Sequence, residues 1–198
     1  MTKELKESDA GSPSPNVLRV ILALRKWGWG SFWSQIVLAV IASIILVVTI
    51  PFANRVATSP TGVPIPSSPG IGVGILFTVI GLCVVYFSAF WSFRYTQLAQ
   101  KLRGNGERPS KVQTIQLLKM GAIVSLVGMP VTLIGANAIV GALTIKSLTP
   151  QTGSFIPITV QPIDMFVMQA CILTILAHFV SLFSSLWLLN RVSDKPTN

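Results

Sequence analysis

The stretch Met165-Phe-Val-Met-Gln-Ala-Cys-Ile-Leu-Thr-Ile-Leu-Ala-His-Phe-Val-Ser-Leu-Phe-Ser-Ser-Leu-Trp-Leu-Leu-Asn190 runs for 26 residues without a charge. About 20 apolar residues in a helix cross ~30 Å of hydrocarbon, so this stretch can span a bilayer with some tilt. Three others match it: Trp33 to Ala53 over 21 residues, Ile71 to Phe93 over 23 and Met120 to Ile145 over 26. A backbone in lipid must satisfy its own hydrogen bonds, so each stretch is expected to be helical. The predicted fold is all-α: a polytopic membrane protein, one four-transmembrane-helix bundle. Composition agrees. Apolar residues make up 51% of the chain and charged ones 11%, a balance that a soluble domain of this size could not hide.

The charges orient the bundle. Lys3, Lys6, Arg19, Arg25 and Lys26 precede the first span, Arg94, Lys101, Arg103, Arg108, Lys111 and Lys119 flank the second loop, and Arg191 and Lys195 follow the fourth span. Only Arg55 and Lys146 lie in the other two loops. Basic residues stay cytoplasmic, which predicts both termini and the central loop on that side. The net charge of +9 is then an orientation signal with attraction to anionic lipid, and nucleic acid is not an expected partner. Cys83 and Cys171 fall inside spans and form no disulfide framework. The first residues carry Glu4, Glu7 and Asp9, unlike a secretory signal or an organellar transit peptide. That favours a bacterial-type plasma membrane or a thylakoid membrane.

The expected organisation is a disordered cytoplasmic tail over 1–15, a basic interfacial helix over 16–30, a membrane domain over 31–191 and a cytoplasmic tail over 192–198. The spans fall at about 33–53, 71–93, 117–142 and 163–189. Asn16 is read as a cap. Val17, Val20, Ile21 and Leu24 with Arg19, Arg25 and Lys26 suit a helix on the inner membrane surface, or an extension packed on the bundle. Gly28 and Gly30 interrupt the Trp-rich segment from Trp27 to Trp33. Trp27, Trp29, Trp33, Trp91 and Trp187 all fall near the inner interface as half of an aromatic belt. The second span should continue past the membrane to Gly104-Asn105-Gly106, with Pro109 in the first turn of the next helix. Seven of the 13 prolines lie in the outer loops, 54–70 and 146–162.

Small residues mark packing faces. Gly121, Ser125, Gly128, Thr132 and Gly135 repeat at four, three, four and three, so they share one helical face. Gly74, Thr78, Gly81, Ser88 and Ser92 do nearly the same on the second span. Such faces let backbones approach closely, within this bundle or against another copy. Pro130 is expected to kink the third span.

The fourth span holds a chemical stripe. Asp164, Cys171 and His178 are seven apart and drift only ~20° per step around one face, with Gln169 on a neighbouring face. His178 is the single histidine. Ionisable groups in lipid normally face the bundle interior or a water-filled cavity. Seven residues of helix is ~10.5 Å, too far for two of these groups to share one ion. Two readings stay open. One is an ion or proton path, with Asn137 a further candidate. The other is a neutral histidine hydrogen-bonded to a neighbouring helix through Asn137, Ser88 or Gln35. No metal ligand set and no cofactor is identified. There is no Walker loop, dinucleotide fingerprint or His-Glu-x-x-His motif, and one histidine with one acid near the spans leaves acid–base catalysis without partners. The chain is not expected to be an enzyme.

Several segments carry a family resemblance: Gly30-Ser-Phe-Trp-Ser-Gln35, Phe90-Trp-Ser-Phe-Arg-Tyr95 with Leu98 to Leu102, Gln169-Ala170, Ala177-His-Phe-Val-Ser181 and Ser185-Leu-Trp-Leu-Leu189. From about Arg25 to Arg191 the chain resembles the cyanobacterial and plastid family of the chloroplast inner-envelope permease, also described as a component of the Tic protein-import machinery. The resemblance implies a four-helix membrane protein of that lineage. It further implies a transport role with iron or another metal ion as cargo, or else an assembly or protein-translocation scaffold without transport of its own. Four helices make a thin wall for a pore, so a homo-oligomer or a larger membrane complex is expected.

Overall fold

In a computed structural model, residues 15–56, 69–103, 110–148 and 162–193 are described. They form four helices: α1, Pro15–Val56; α2, Pro69–Arg103; α3, Lys111–Leu148; and α4, Pro162–Ser193. The described residues include no strand. The tail over 1–14, most of both proline-rich loops and the basic turn over 104–109 lie outside them.

Each helix contains a segment long and apolar enough to cross a membrane: Leu18–Pro51, Gly70–Gln100, Val112–Ile145 and Asp164–Ser193. The burial pattern is that of a protein solvated by lipid. Val37, Ile41, Ile44, Val48, Leu76, Phe87, Ile123, Leu126, Ile172 and Phe179 are exposed, while Gln35, Thr78, Ser88, Ser125, Thr132, Thr174 and His178 are buried. In water the apolar side chains would collapse inward. In hydrocarbon that drive is absent, and polar groups turn inward to find partners. The chain is a multi-pass integral membrane protein whose solvent is the bilayer.

Successive helices run antiparallel. Gly74 meets Gly135 and Gly121 meets Tyr95 across α2 and α3. Gln35 meets Ser92 and Ser43 meets Tyr86 across α1 and α2. Trp27 meets Trp187 across α1 and α4. Each helix packs on its chain neighbours, α4 also closes against α1, and α2 touches α4 through the middle while α1 and α3 stay apart. The cross-section is therefore a rhombus with α2 and α4 on its short diagonal. Ala39, Ala42, Ala136, Ala170 and Ala177, with Leu46, Val85, Ile139 and Val167, form the core at the loop end. Its small residues permit the close helix approach that holds a bundle together in lipid.

A second core lies at the end where both termini emerge. Ile21, Leu24, Tyr95, Ala99, Leu118, Leu188 and Val192 are buried there together. Leu18–Pro51 has 34 residues, ~51 Å of helix at 1.5 Å per residue. Hydrocarbon accounts for only ~30 Å of that. About four turns must project, and the second core shows that all four helices project together.

This corrects the expected separate interfacial helix over 16–30. The chain makes one unbroken helix from Pro15 to Val56, and its first part packs on the bundle. Gly28 lies inside it. A Cβ there would come within 3.2 Å of Tyr95 Cβ and 3.3 Å of Thr96 Cγ2, so this glycine admits α2 at close range. A glycine costs ~1 kcal/mol in a helix interior, and the contacts made by Ile21 and Leu24 outweigh that. The start of α3 also differs. Ser110 caps the helix: its hydroxyl accepts from the Gln113 amide at 3.2 Å, and Gln113 Oε1 accepts from the Ser110 amide at 3.1 Å. This is a reciprocal capping box, whose signature is Ser110-Lys-Val-Gln113. α3 runs unbroken through Pro130.

Candidate functional site

The rhombic packing sets the inward faces of α2, α3 and α4 around one axis, and the buried polar side chains lie along it. Asp164 is at the loop end, 5% exposed, in the first turn of α4. The positive end of the helix dipole favours a carboxylate there. Two turns further, Thr78 donates to the Gly74 carbonyl at 2.7 Å and lies 3.0 Å from Cys171 Sγ. A carbonyl only accepts, so the threonine proton goes to Gly74 and the thiol donates to Thr78.

His178 comes next and is fully buried. Its Nε2 lies 3.2 Å from the Gly81 carbonyl. Glycines make its space. A Cβ on Gly128 would collide with the His178 ring, and one on Gly81 would collide with Thr132. Thr132 and Thr174 give their hydroxyl protons to Gly128 and Ala170 of their own helices.

One turn beyond His178 is a ring of three hydroxyls from three helices. Ser88 lies 3.0 Å from Ser125 and 2.6 Å from Ser181, and Ser125 lies 2.7 Å from Ser181. The Gly121 carbonyl is a further acceptor, 3.1 Å from Ser125. Tyr95 and Ser185 follow, oxygen to oxygen at 3.1 Å. The Tyr95 hydroxyl occupies the gap left at Gly121. To one side, Gln35 Nε2 donates to the hydroxyls of Ser31 and Ser92 at 2.8 and 3.0 Å. From Asp164 to Ser185 is 21 residues of α4, ~31 Å. That equals the ~30 Å of a hydrocarbon layer. The polar column is as long as the barrier.

The stripe of the fourth span thus faces the interior, at Asp164, Cys171 and His178. Two other candidates do not join it. Gln169 is exposed. Asn137 is exposed as well and donates to the Leu133 carbonyl one turn back at 2.9 Å. His178 finds none of the partners considered for it, Asn137, Ser88 or Gln35. Its partner is a backbone carbonyl, which carries no side-chain signal in a sequence. Gly74, Gly81, Gly121, Gly128 and Gly135 all meet a neighbouring helix of the same chain. Ser88, Ser125 and Thr132, expected as packing positions, belong to the column itself. Ser181, Ser185 and Tyr95 join the column outside the sevenfold stripe; Ser181 and Ser185 stand three and seven residues past His178 on its face, and Tyr95 comes from α2. Among the described residues no group of three or more His, Cys, Asp or Glu side chains could hold a metal ion.

The end of the column nearer the termini is ringed by indoles. Trp27 packs on Trp187 with centroids 4.5 Å apart. Trp91 Nε1 donates to the Leu117 carbonyl at 3.1 Å. The Arg94 and Arg191 guanidiniums lie 5.4 and 5.5 Å above the Trp91 and Trp187 rings. Trp29 and Trp33 are half exposed. Indole belongs where hydrocarbon meets headgroups, which sets one membrane boundary at this level.

Residues 14–193 match the model of a family described as a protein of unknown function, DUF3611. The chain is 31% identical over 179 residues to Protein TIC 21, chloroplastic, of Arabidopsis thaliana. The match covers 85% of this chain and 56% of that protein, so the chain spans about half the length of its relative. The expected resemblance to the cyanobacterial and plastid family is borne out. No solved structure matches the chain.

Proposed function

The chain belongs to the DUF3611 family, and we propose that it is a transport-related membrane protein, with iron or another metal ion as cargo. The observation that carries this reading is the polar column, which runs through the bundle for the thickness of hydrocarbon. Polar and ionisable groups are costly in lipid, and those that face the interior of a bundle commonly mark an ion or proton pathway. Both termini and the basic turn between α2 and α3 are assigned to the cytoplasmic side, where the basic residues meet anionic lipid. A plasma or thylakoid membrane of a cyanobacterium is the proposed location. The bundle is tightly packed, so a conducting form is proposed to be an oligomer or a subunit of a larger complex.

The test is uptake of ferrous iron, and of other divalent first-row ions, into proteoliposomes containing the purified protein. Saturable uptake above protein-free vesicles supports the proposal, and uptake equal to those vesicles overturns it.

A second reading is a scaffold for membrane-protein assembly or translocation. It is favoured by the sparse ligand set along the column and by the basic face at the terminal end. Affinity purification in mild detergent separates the two. Recovery as a homo-oligomer alone counts against the scaffold.

A further inference from the structure

Among the described residues, two buried side-chain atoms have no hydrogen-bond partner, Gln35 Oε1 and His178 Nδ1. Buried polar atoms in folded proteins are nearly always partnered, so an open one at the centre of the column asks what fills it. At His178 the chemistry is fixed by its neighbour. The Gly81 carbonyl can only accept, so the contact at Nε2 puts the ring proton there. The neutral imidazole then keeps its lone pair on Nδ1, fully buried and unfilled.

A metal ion is a poor fit to that lone pair. It needs several donors, and Cys171 is seven residues away on the same helix, ~10.5 Å of rise. A proton needs one donor. The neighbouring helices supply no competing group. α1 has no titratable side chain between Trp33 and Pro51, and α3 has none between Gly121 and Ile145. α2 offers Tyr95 to the column, and its Cys83 and Tyr86 are exposed. α4 offers Cys171 and, at the loop end, Asp164. Tyr95 and Asp164 lie toward the two ends of the column and Cys171 gives its proton to Thr78, which leaves His178 as the group at mid-span with an unpartnered lone pair.

The hydroxyl ring one turn away suits proton movement. Three hydroxyl protons serve four contacts, the three sides of the ring and the Gly121 carbonyl. More than one proton arrangement therefore satisfies the same oxygens, and the ring can exchange between them without moving a backbone atom.

We propose that Nδ1 of His178 is a proton-binding site, and that the Ser88–Ser125–Ser181 ring and the Ser185–Tyr95 pair carry protons between it and the terminal end. The Nδ1 lone pair takes a proton from hydronium supplied from the loop side, which is left as water. The imidazolium keeps its Nε2 proton on Gly81. Release requires a side-chain movement that brings Nδ1, unpartnered in this packing, within hydrogen-bond reach of a ring hydroxyl; the ring then takes that proton, releases one of its own toward Ser185, and the neutral histidine is restored. One proton moves and no covalent bond of the chain is lost. The purpose of this movement, coupling to cargo, rests on the transport reading above. The proton site itself does not.

Because His178 is the only histidine, histidine labelled with nitrogen-15 reports on it alone. In liposomes near neutral pH, NMR should find the ring protonated at Nε2, with Nδ1 gaining a proton on acidification. Protonation at Nδ1 alone overturns the proposal. In vesicles with a pH dye inside and an imposed potassium diffusion potential, proton flux should exceed that of protein-free vesicles. His178→Gln should lower it at least tenfold and Ser125→Ala severalfold, while Ser43→Ala, outside the column, leaves it unchanged. Wild-type flux in the His178→Gln variant, or in Ser125→Ala if the first does not fold, overturns it. Ferrous uptake is measured in parallel. Uptake without proton flux rejects the proton path and keeps the transport reading. Proton flux without uptake keeps the path and rejects that cargo.

Discussion

At the scale of single residues, the column depends on absent side chains as much as on present ones. Gly128 leaves the space for the His178 ring, and Gly121 leaves it for the Tyr95 hydroxyl. Gly128→Leu is expected to destabilise the bundle by ~1–3 kcal/mol through overpacking. Gly141, with open space around it, should accept leucine within ~0.5 kcal/mol, the usual range of surface changes. Unfolding in mixed micelles at increasing denaturant fraction checks both. Hydroxyls behave differently. Hydrogen bonds between helices in membranes average only ~0.6 kcal/mol, so Ser88→Ala or Ser181→Ala should leave the fold intact. The sevenfold spacing of Asp164, Cys171 and His178 made this face legible in the sequence. The partners were less so, because Gly81 contributes a carbonyl and the serine ring is assembled from three helices, a long-range contact that spacing along one helix does not encode.

At the scale of elements, the helices are longer than a bilayer requires, and their excess is packed. Leu24 is fully buried among Tyr95, Leu118 and Leu188. Leu24→Ala should cost ~2–5 kcal/mol, as for other buried leucines, and amide hydrogen exchange over 18–27 should quicken well before exchange over 36–46. Exchange equal in the variant and the parent would mean that the extension is not held by the second core. Ser110→Ala should loosen the start of α3 by ~1 kcal/mol, the usual cost of losing an N-cap, read as faster exchange over 111–114. Charge-free apolar runs announced the four spans, since such a run is visible without knowing what it packs on. It could not settle the segment over 16–30, because an interfacial helix and a packed extension have the same amphipathic pattern. Burial of Ile21 and Leu24 against three other helices decided it.

At the scale of the molecule, large apolar residues face lipid, while the interior is shared by apolar cores and the column of hydroxyls. The basic asymmetry then predicts which way the bundle sits. In a Cys83→Ala background, an impermeant maleimide should label Thr61→Cys from outside intact cells, and Ser8→Cys only after permeabilisation. The reverse pattern would invert the orientation. The same asymmetry predicts that binding of the detergent-solubilised protein to vesicles strengthens with their anionic lipid content and weakens with salt. The bilayer-length column is a property of the assembled bundle, and no single helix contains it. The most direct measurement is therefore ferrous uptake by proteoliposomes holding the Ser88→Ala/Ser125→Ala double variant, with folding verified by circular dichroism. A path along this axis predicts at least a tenfold fall in uptake with the helical fold retained. Uptake equal to that of the parent protein would show that cargo does not follow the column.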